Sequence, residues 1–344
     1  MKLDPAAARR TVVRFTASFV LLGAFVGYTA APSVAQDDAD RPPWARKPKP
    51  AGAATPSATD QPVEASQNSS TIKVKVNLVS VLVSVLDEHN RPAADLPKES
   101  FKLSEEGTLQ TVAVFEKETQ QPLDLALMID ASLSAQLDMP TQRAAASRFI
   151  EKVLRPGDRL AVFGFDEEVT RVAAFSDKVT DLQNAVHRIP IGAGTSIYDA
   201  VFLGSRALEQ QGGERRRVIL LITDGGETTS RTDFDHARNE AVKAEALLYT
   251  ILIRPVKNEG GRNTAGEHAL QTITDMTGGA MFFPDQVQEL DAIFDQIDRE
   301  LRTQYRLGYY PNPRGPADSY RSIEVSVDGT YLVRHRKTYF TGHQ

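Results

Sequence analysis

The chain has no cysteine. That absence excludes disulfides, thiolate metal sites, a cysteine nucleophile and lipid attachment through an N-terminal cysteine, so stability has to come from packing. An excess of one charge is also lacking: 40 basic and 45 acidic residues give a net charge of −5 with both signs interspersed. No whole-chain field therefore points to nucleic acid or to an acidic membrane. Catalytic signatures are missing too. There is no H-E-x-x-H, no G-x-S-x-G and no G-x-x-x-x-G-K-[ST], and the histidines His89, His187, His236, His268, His335 and His343 are scattered. The basic run "GERRRV" reads as a solvated loop ahead of a strand rather than a phosphate or nucleic-acid patch.

What is present begins with a leader. Lys2, Arg9, Arg10 and Arg14 precede the apolar stretch "FTASFVLLGAFVGYTAA", which is shorter than the roughly 20 residues that span a bilayer. Ser33 and Ala35 supply the small-residue spacing of a signal peptidase site, so residues 1–35 are read as a signal peptide cleaved after Ala35. An uncleaved N-terminal anchor is the alternative, and the only route by which a membrane would become a partner. Arg9-Arg10 fits a twin-arginine signal loosely. Either way the bulk is expected outside the cytoplasm, periplasmic or secreted to the cell surface. Residues 36–70 are rich in Pro, Ala and Ser and poor in large aliphatics, a linker composition that cannot bury enough surface to offset ordering. Trp44 within it reads as incidental.

From Thr71 the texture changes to period-two alternation, first Ile72, Val74, Val76 and Leu78, then Val81, Val83 and Val85 in the opposite phase. With turns at "DEHNRP" and Gly107 and renewed alternation in "TVAVFEK", residues 71–121 are expected to form an antiparallel β unit. Over 122–304 buried strands alternate with amphipathic helices. "LDLALMID", "DRLAVFGFD", "RRVILLITD", "ALLYTILI" and "AMFFP" are continuous apolar runs of the kind parallel strands require. Helices are predicted near 141–154, 178–188, 197–210, 234–246 and 266–277, with a last one carrying Val287, Leu290, Phe294, Ile297 and Leu301 on one stripe. "VTRVAAF" would add an antiparallel edge strand. The fold class is thus α/β, a doubly wound and mostly parallel sheet. Residues 305–340 return to β character, and this C-terminal extension is expected to join the N-terminal strands in one sheet.

In an open α/β sheet ligands sit beyond the carboxyl ends of the strands. Three loops there carry oxygen: "DASLS" after the first core strand, "GAGTSIYDA" opening a helix, and "TDGGETT" after a later strand. Asp130, Ser132, Ser134, Thr195 and Asp224 offer hydroxyl and carboxylate oxygens without imidazole or sulfur, a set that selects a hard cation, Mg²⁺ first and Mn²⁺ or Ca²⁺ after it. Asp, Ser and Thr are also good helix N-caps, so the string alone is weak; its strength lies in the conjunction of the three loops. Glu227 and Asp199 are the nearest candidates for a catalytic base, with support of the metal ligands from behind or helix capping the favoured role for both.

"MIDASLS", "GTSIYDA" and "LLITDGGET" resemble the three loops of the von Willebrand factor type A domain, whose metal-ion-dependent adhesion site combines D-x-S-x-S, a threonine and an aspartate. The flanks, "VSVLDEHNRPAADLPKESFKLSEEGTLQTVAVFEKE" and "YRLGYYP", "YRSIEVSV" and "VRHRKTYF", resemble the narrower VWFA-related family abundant in Acidobacteria. The resemblance implies direct Mg²⁺ binding by Ser132, Ser134 and Thr195, with Asp130 and Asp224 orienting water or binding according to state. Leu133 departs from it, since many relatives carry a smaller residue there. The resemblance fixes the site rather than the role; the five oxygen donors and the export leader together point to a non-enzymatic adhesion module whose metal is completed by an acidic side chain of a protein partner. A structural assembly module and a metal-dependent hydrolase are the alternatives.

Overall fold

The computed structural model describes residues 78–117, 120–253 and 264–343. The predicted leader, the linker over 36–70 and the alternation at Ile72, Val74 and Val76 lie outside the described residues. The described chain opens with β1 (Val79–Leu86), β2 (Phe101–Glu105), β3 (Thr108–Gln110) and β4 (Val112–Glu116). Alternation follows in β5 (Leu123–Asp130), α1 (Met139–Val153), β6 (Arg159–Phe165), β7 (Val169–Ser176), α2 (Val179–His187), α3 (Ile197–Glu209) and β8 (Arg216–Thr223). It continues through α4 (Phe234–Lys243), β9 (Ala246–Leu252), α5 (Thr264–Thr277), β10 (Met281–Phe282) and α6 (Leu290–Arg302). The last strands are β11 (Tyr305–Tyr309), β12 (Tyr320–Val327), β13 (Leu332–His335) and β14 (Thr338–Phe340).

The central sheet has the order β10-β9-β8-β5-β6-β7, parallel throughout except for the antiparallel edge strand β7. Every residue of β5 is buried, as a strand covered on both faces must be. Leu125, Leu127 and Ile129 pack into the core beneath α1, α2 and α6, while Ala126 and Met128 pack into the core beneath α3, α4 and α5. This is the doubly wound architecture the alternation predicts. The α6 stripe is buried at each expected position, and Phe149 of α1 stacks on Phe294 at 4.6 Å. The helix expected over 234–246 stops at Lys243, because the chain turns there and Glu245 adopts a φ of 52°.

The flanking strands pair across the length of the chain, but in two sheets rather than one. β1 lies between β11 and β13 in the order β13-β1-β11-β4, and β12 pairs with β2 in the order β14-β12-β2-β3. The reason is the valine face of β1. Val79, Val81, Val83 and Val85 are all at most 2% exposed, and one sheet cannot cover its own face. Phe101, Leu103, Ile323, Val325 and Tyr339 join them in a single core. The link between β13 and β14 also touches the α/β unit: Lys337 N donates to Met276 O at 2.9 Å. Gly278, at φ +83°, permits this passage, since a Cβ there would lie 2.3 Å from the carbonyl carbon of His335.

The amino end of β5 is held by charge. Asp124, fully buried, accepts from Arg159 Nε and Nη2 at 2.9 and 2.6 Å and from Arg215 Nε at 2.7 Å. Removing the carboxylate would leave two guanidinium groups facing each other in a partly buried corner. Asp124→Ala is therefore expected to lower unfolding free energy by about 3 kcal/mol, read from urea denaturation. A loss within about 0.5 kcal/mol would show that the cluster is only a surface feature.

Candidate metal centre

The strand order reverses at β5: β6 follows it on one side and β8 on the other. Loops leaving β5 and β8 therefore diverge in opposite directions and open a crevice, the place where such sheets take ligands. The parallel register sets Ile129 opposite Ile222, so the residues just beyond, Asp130 and Thr223, become neighbours. Thr223 Oγ1 donates to Asp130 Oδ2 at 2.6 Å, and Ser132 N donates to Asp130 Oδ1 at 3.0 Å. The chain stays with β6 for one further step, as Ala131 N donates to Phe165 O, and then turns outward. That turn brings Ser132 Oγ and Ser134 Oγ to 3.0 Å from each other. Ser132 is buried and Ser134 exposed, so the pair spans from floor to lip.

The second loop is tied to both neighbours. Gly192 N donates to Ala131 O at 2.9 Å. Thr195 donates its main-chain N–H to Thr228 Oγ1 at 2.9 Å, and its carbonyl accepts from Thr228 N and Thr229 N. Every main-chain polar group of Thr195 is thus used, while its hydroxyl makes no hydrogen bond among the described residues. In the third loop Asp224 turns Oδ1 to Gly226 N at 3.0 Å. Its charge reaches Asp130 and helps raise that residue's pKa.

Helix capping does not account for these side chains. α1 begins at Met139, well past both serines, and α3 is capped from a distance. Glu227 Oε2 accepts from Ile197 N at 2.8 Å and from Tyr198 N at 3.2 Å, and Ser230 Oγ accepts from Tyr198 N and Asp199 N. Asp199 in turn accepts from Arg231 N and Thr232 N. Both candidate bases are therefore occupied as caps and loop braces. Their supporting role was readable from their nearness in sequence to the oxygen-bearing loops; that of Thr223, Thr228 and Ser230 was not, because it depends on register and loop path.

Asp130 is 0% exposed, and no Lys or Arg among the described residues pairs with it or with Asp224. Burial raises its pKa to about 6, against the hydrogen bonds from Ser132 and Thr223, and the Asp224 charge adds to the rise. Among the described residues no three carboxylate or imidazole groups converge, so a cation here would depend on hydroxyls. Two serine hydroxyls in contact, a threonine hydroxyl without a partner and two uncompensated carboxylates fit a hard, oxygen-seeking ion.

Residues 125–227 match the family model of the von Willebrand factor type A domain, a stretch that includes Asp130, Ser132, Ser134, Thr195 and Asp224 and none of the flanking β strands. No curated protein matches the chain. Among solved structures, a von Willebrand factor type A protein from Catenulispora acidiphila is 12% identical, with a TM-score of 0.47 over 76% of this chain and 73% of that one. The vWF domain of the type V pili tip protein Mfa5 from Porphyromonas gingivalis is 15% identical, with a TM-score of 0.42 over 53% and 95%. Proximal thread matrix protein 1 from the mussel byssus, with a zinc-occupied MIDAS motif, is 16% identical, with a TM-score of 0.46 over 57% and 49%. At these identities the likenesses concern the fold alone.

An acid whose folded pKa lies above its unfolded value binds its proton more tightly when folded. The contribution of Asp130 to stability is then fully present below about pH 4 and is lost as pH rises through about 6. With chelator present, the wild type is expected to lose about 3 kcal/mol relative to Asp130→Asn between those limits. Denaturant melts of both proteins across that window check this; parallel curves would mean that Asp130 is compensated.

Proposed function

Taking the three loops as those of a von Willebrand factor type A domain, we propose that the chain is an exported, divalent-cation-dependent protein-binding module, periplasmic or at the cell surface. Ser132, Ser134 and Thr195 would hold the ion through neutral hydroxyls, with Asp130 and Asp224 binding it directly or through water. Mg²⁺ is the expected ion, and Mn²⁺ or Ca²⁺ would suit the same donors. Bound there, the ion supplies an incompletely neutralised charge that an acidic side chain of a partner protein completes. The chain's own part is to keep the hydroxyls in place and the carboxylates dry. One observation carries the reading: contacting serine hydroxyls, 3.0 Å apart, beside a buried carboxylate that no Lys or Arg among the described residues pairs with. Export is supported by the charged leader and the apolar core that follows it.

A second reading, a structural module in which the metal only stabilises the fold, is favoured by the same buried carboxylate, since any cation would relieve it. A metal-dependent hydrolase has less support, because Glu227 and Asp199 are engaged with main-chain N–H groups.

Mg²⁺ titration by calorimetry is expected to give one site, abolished in Ser132→Ala/Ser134→Ala and weakened about ten- to a hundredfold in Thr223→Val, which loosens Asp130. Envelope proteins captured on the immobilised chain in Mg²⁺ should elute with chelator and fail to bind Asp130→Ala. Capture that survives chelation, with only the melting temperature falling, would decide for the structural reading. Turnover of any ester or phosphate substrate abolished by Glu227→Gln would revive the hydrolase.

A further inference from the structure

At the opposite end of the central sheet from the metal loops, a half-open cavity of about 300 Å³ separates β1 from the amino ends of β8 and β9. Its origin is visible in the sequence. The odd residues of β1 are the valines of the sandwich core, and the even ones face the other way. Leu78, Ser80 and Leu82 line the cavity from that face, and Leu82 also packs on the α/β core. A serine between two leucines removes the volume that would have filled the seam. Val242, Leu247 and Met276 form the far wall.

The rim is cationic. Arg215, Arg216, Arg217, Arg306 and Arg336 border the cavity, against Glu214 and Glu245. Arg215 is matched by Asp124, Arg306 by Glu116 and Arg336 by Glu245. Arg216 and Arg217 have no carboxylate partner among the described residues. Arg216 donates to Gln121 O, Leu301 O and the Gln304 side-chain oxygen, and Arg217 to Ala244 O. Burial, with the nearby Arg302 charge and against the charge of Asp158, lowers the Arg216 pKa to about 10.

We propose that this cavity is a binding site for a small anionic amphiphile, its carboxylate, sulfonate or phosphate group meeting Arg217 and its apolar body lying between Leu82 and Leu247. The volume stands at the lower end of the range for small-molecule pockets, and the half-open mouth leaves room for part of a larger body to protrude. Guanidinium groups are the side chains best shaped to hold such heads. The site is independent of the metal loops, so chelator leaves it unchanged.

The test uses the full chain with anilinonaphthalenesulfonate as a fluorescent probe, displaced by decanoate or by decylamine. Expected are saturable binding of one probe per chain, with or without Mg²⁺, displacement by decanoate and none by decylamine. Ser80→Phe, which fills the cavity, and Arg217→Gln, which removes the charge, should each weaken binding about tenfold or more. If Ser80→Phe fails to fold by circular dichroism, Arg217→Gln decides alone. Absence of saturable binding, equal displacement by decylamine, or undiminished affinity in Arg217→Gln would overturn the proposal.

Discussion

A carboxylate stands at the end of a strand buried along its whole length, and the candidate site is arranged around it. Asp130 lies where parallel neighbours and helices on both faces exclude water. An isolated charge in such a place is disfavoured by several kcal/mol unless something answers it. Two hydrogen bonds answer part, from Thr223 and from the Ser132 amide. What remains can be met by a proton or by a cation, and at neutral pH a proton is scarce for a group with a pKa of about 6. The cation proposed for this site would meet a charge that the backbone course of β5 and the register between β5 and β8 keep away from water.

Such a charge is useful only if the remaining donors are free. The loops achieve this by giving routine structural tasks to other residues. Glu227 and Ser230 take the amides that open α3, Asp199 takes those of the following loop, and Thr228 closes on both polar groups of the Thr195 peptide. The hydroxyls of Ser132, Ser134 and Thr195 are relieved of capping as a result. A hydroxyl kept out of the helix cap, on a loop fixed by its own main chain, is preorganised for a ligand rather than for the fold.

Much of this was legible in residue order. Continuous apolar runs mark the strands of the parallel sheet because both faces of each strand are covered, and the 3.6-residue stripes mark the helices that cover them. Placement of the oxygen-bearing loops at one edge followed from the rule that ligands gather at carboxyl ends. The division of the flanking strands between two sheets was not legible. Alternation says that one face of a strand is buried and is silent about what buries it, and the partners of β1 lie more than two hundred residues away in β11 and β13. Thr223 was missed for a similar reason. Its importance appears only when β5 and β8 are set in register, which no local pattern encodes.

β5 contains its own control. Asp124 and Asp130 are the two acids of one strand, six residues apart on the same face, and both are 0% exposed. At the amino end Asp124 is met by two arginines through three hydrogen bonds. At the carboxyl end Asp130 has a threonine hydroxyl and an amide, with another acid, Asp224, in electrostatic reach. Residue type, strand and burial are the same, so only the company differs. Packing demands do not explain the difference, since the same chain shows how it compensates an acid when the acid serves the fold. The uncompensated member faces the crevice where the three loops meet, and the arginines that might have answered it are gathered at the far edge of the sheet. That polarity, cationic at one end and oxygen-rich at the other, is the physical ground for expecting the two ends of the domain to meet ligands of opposite charge.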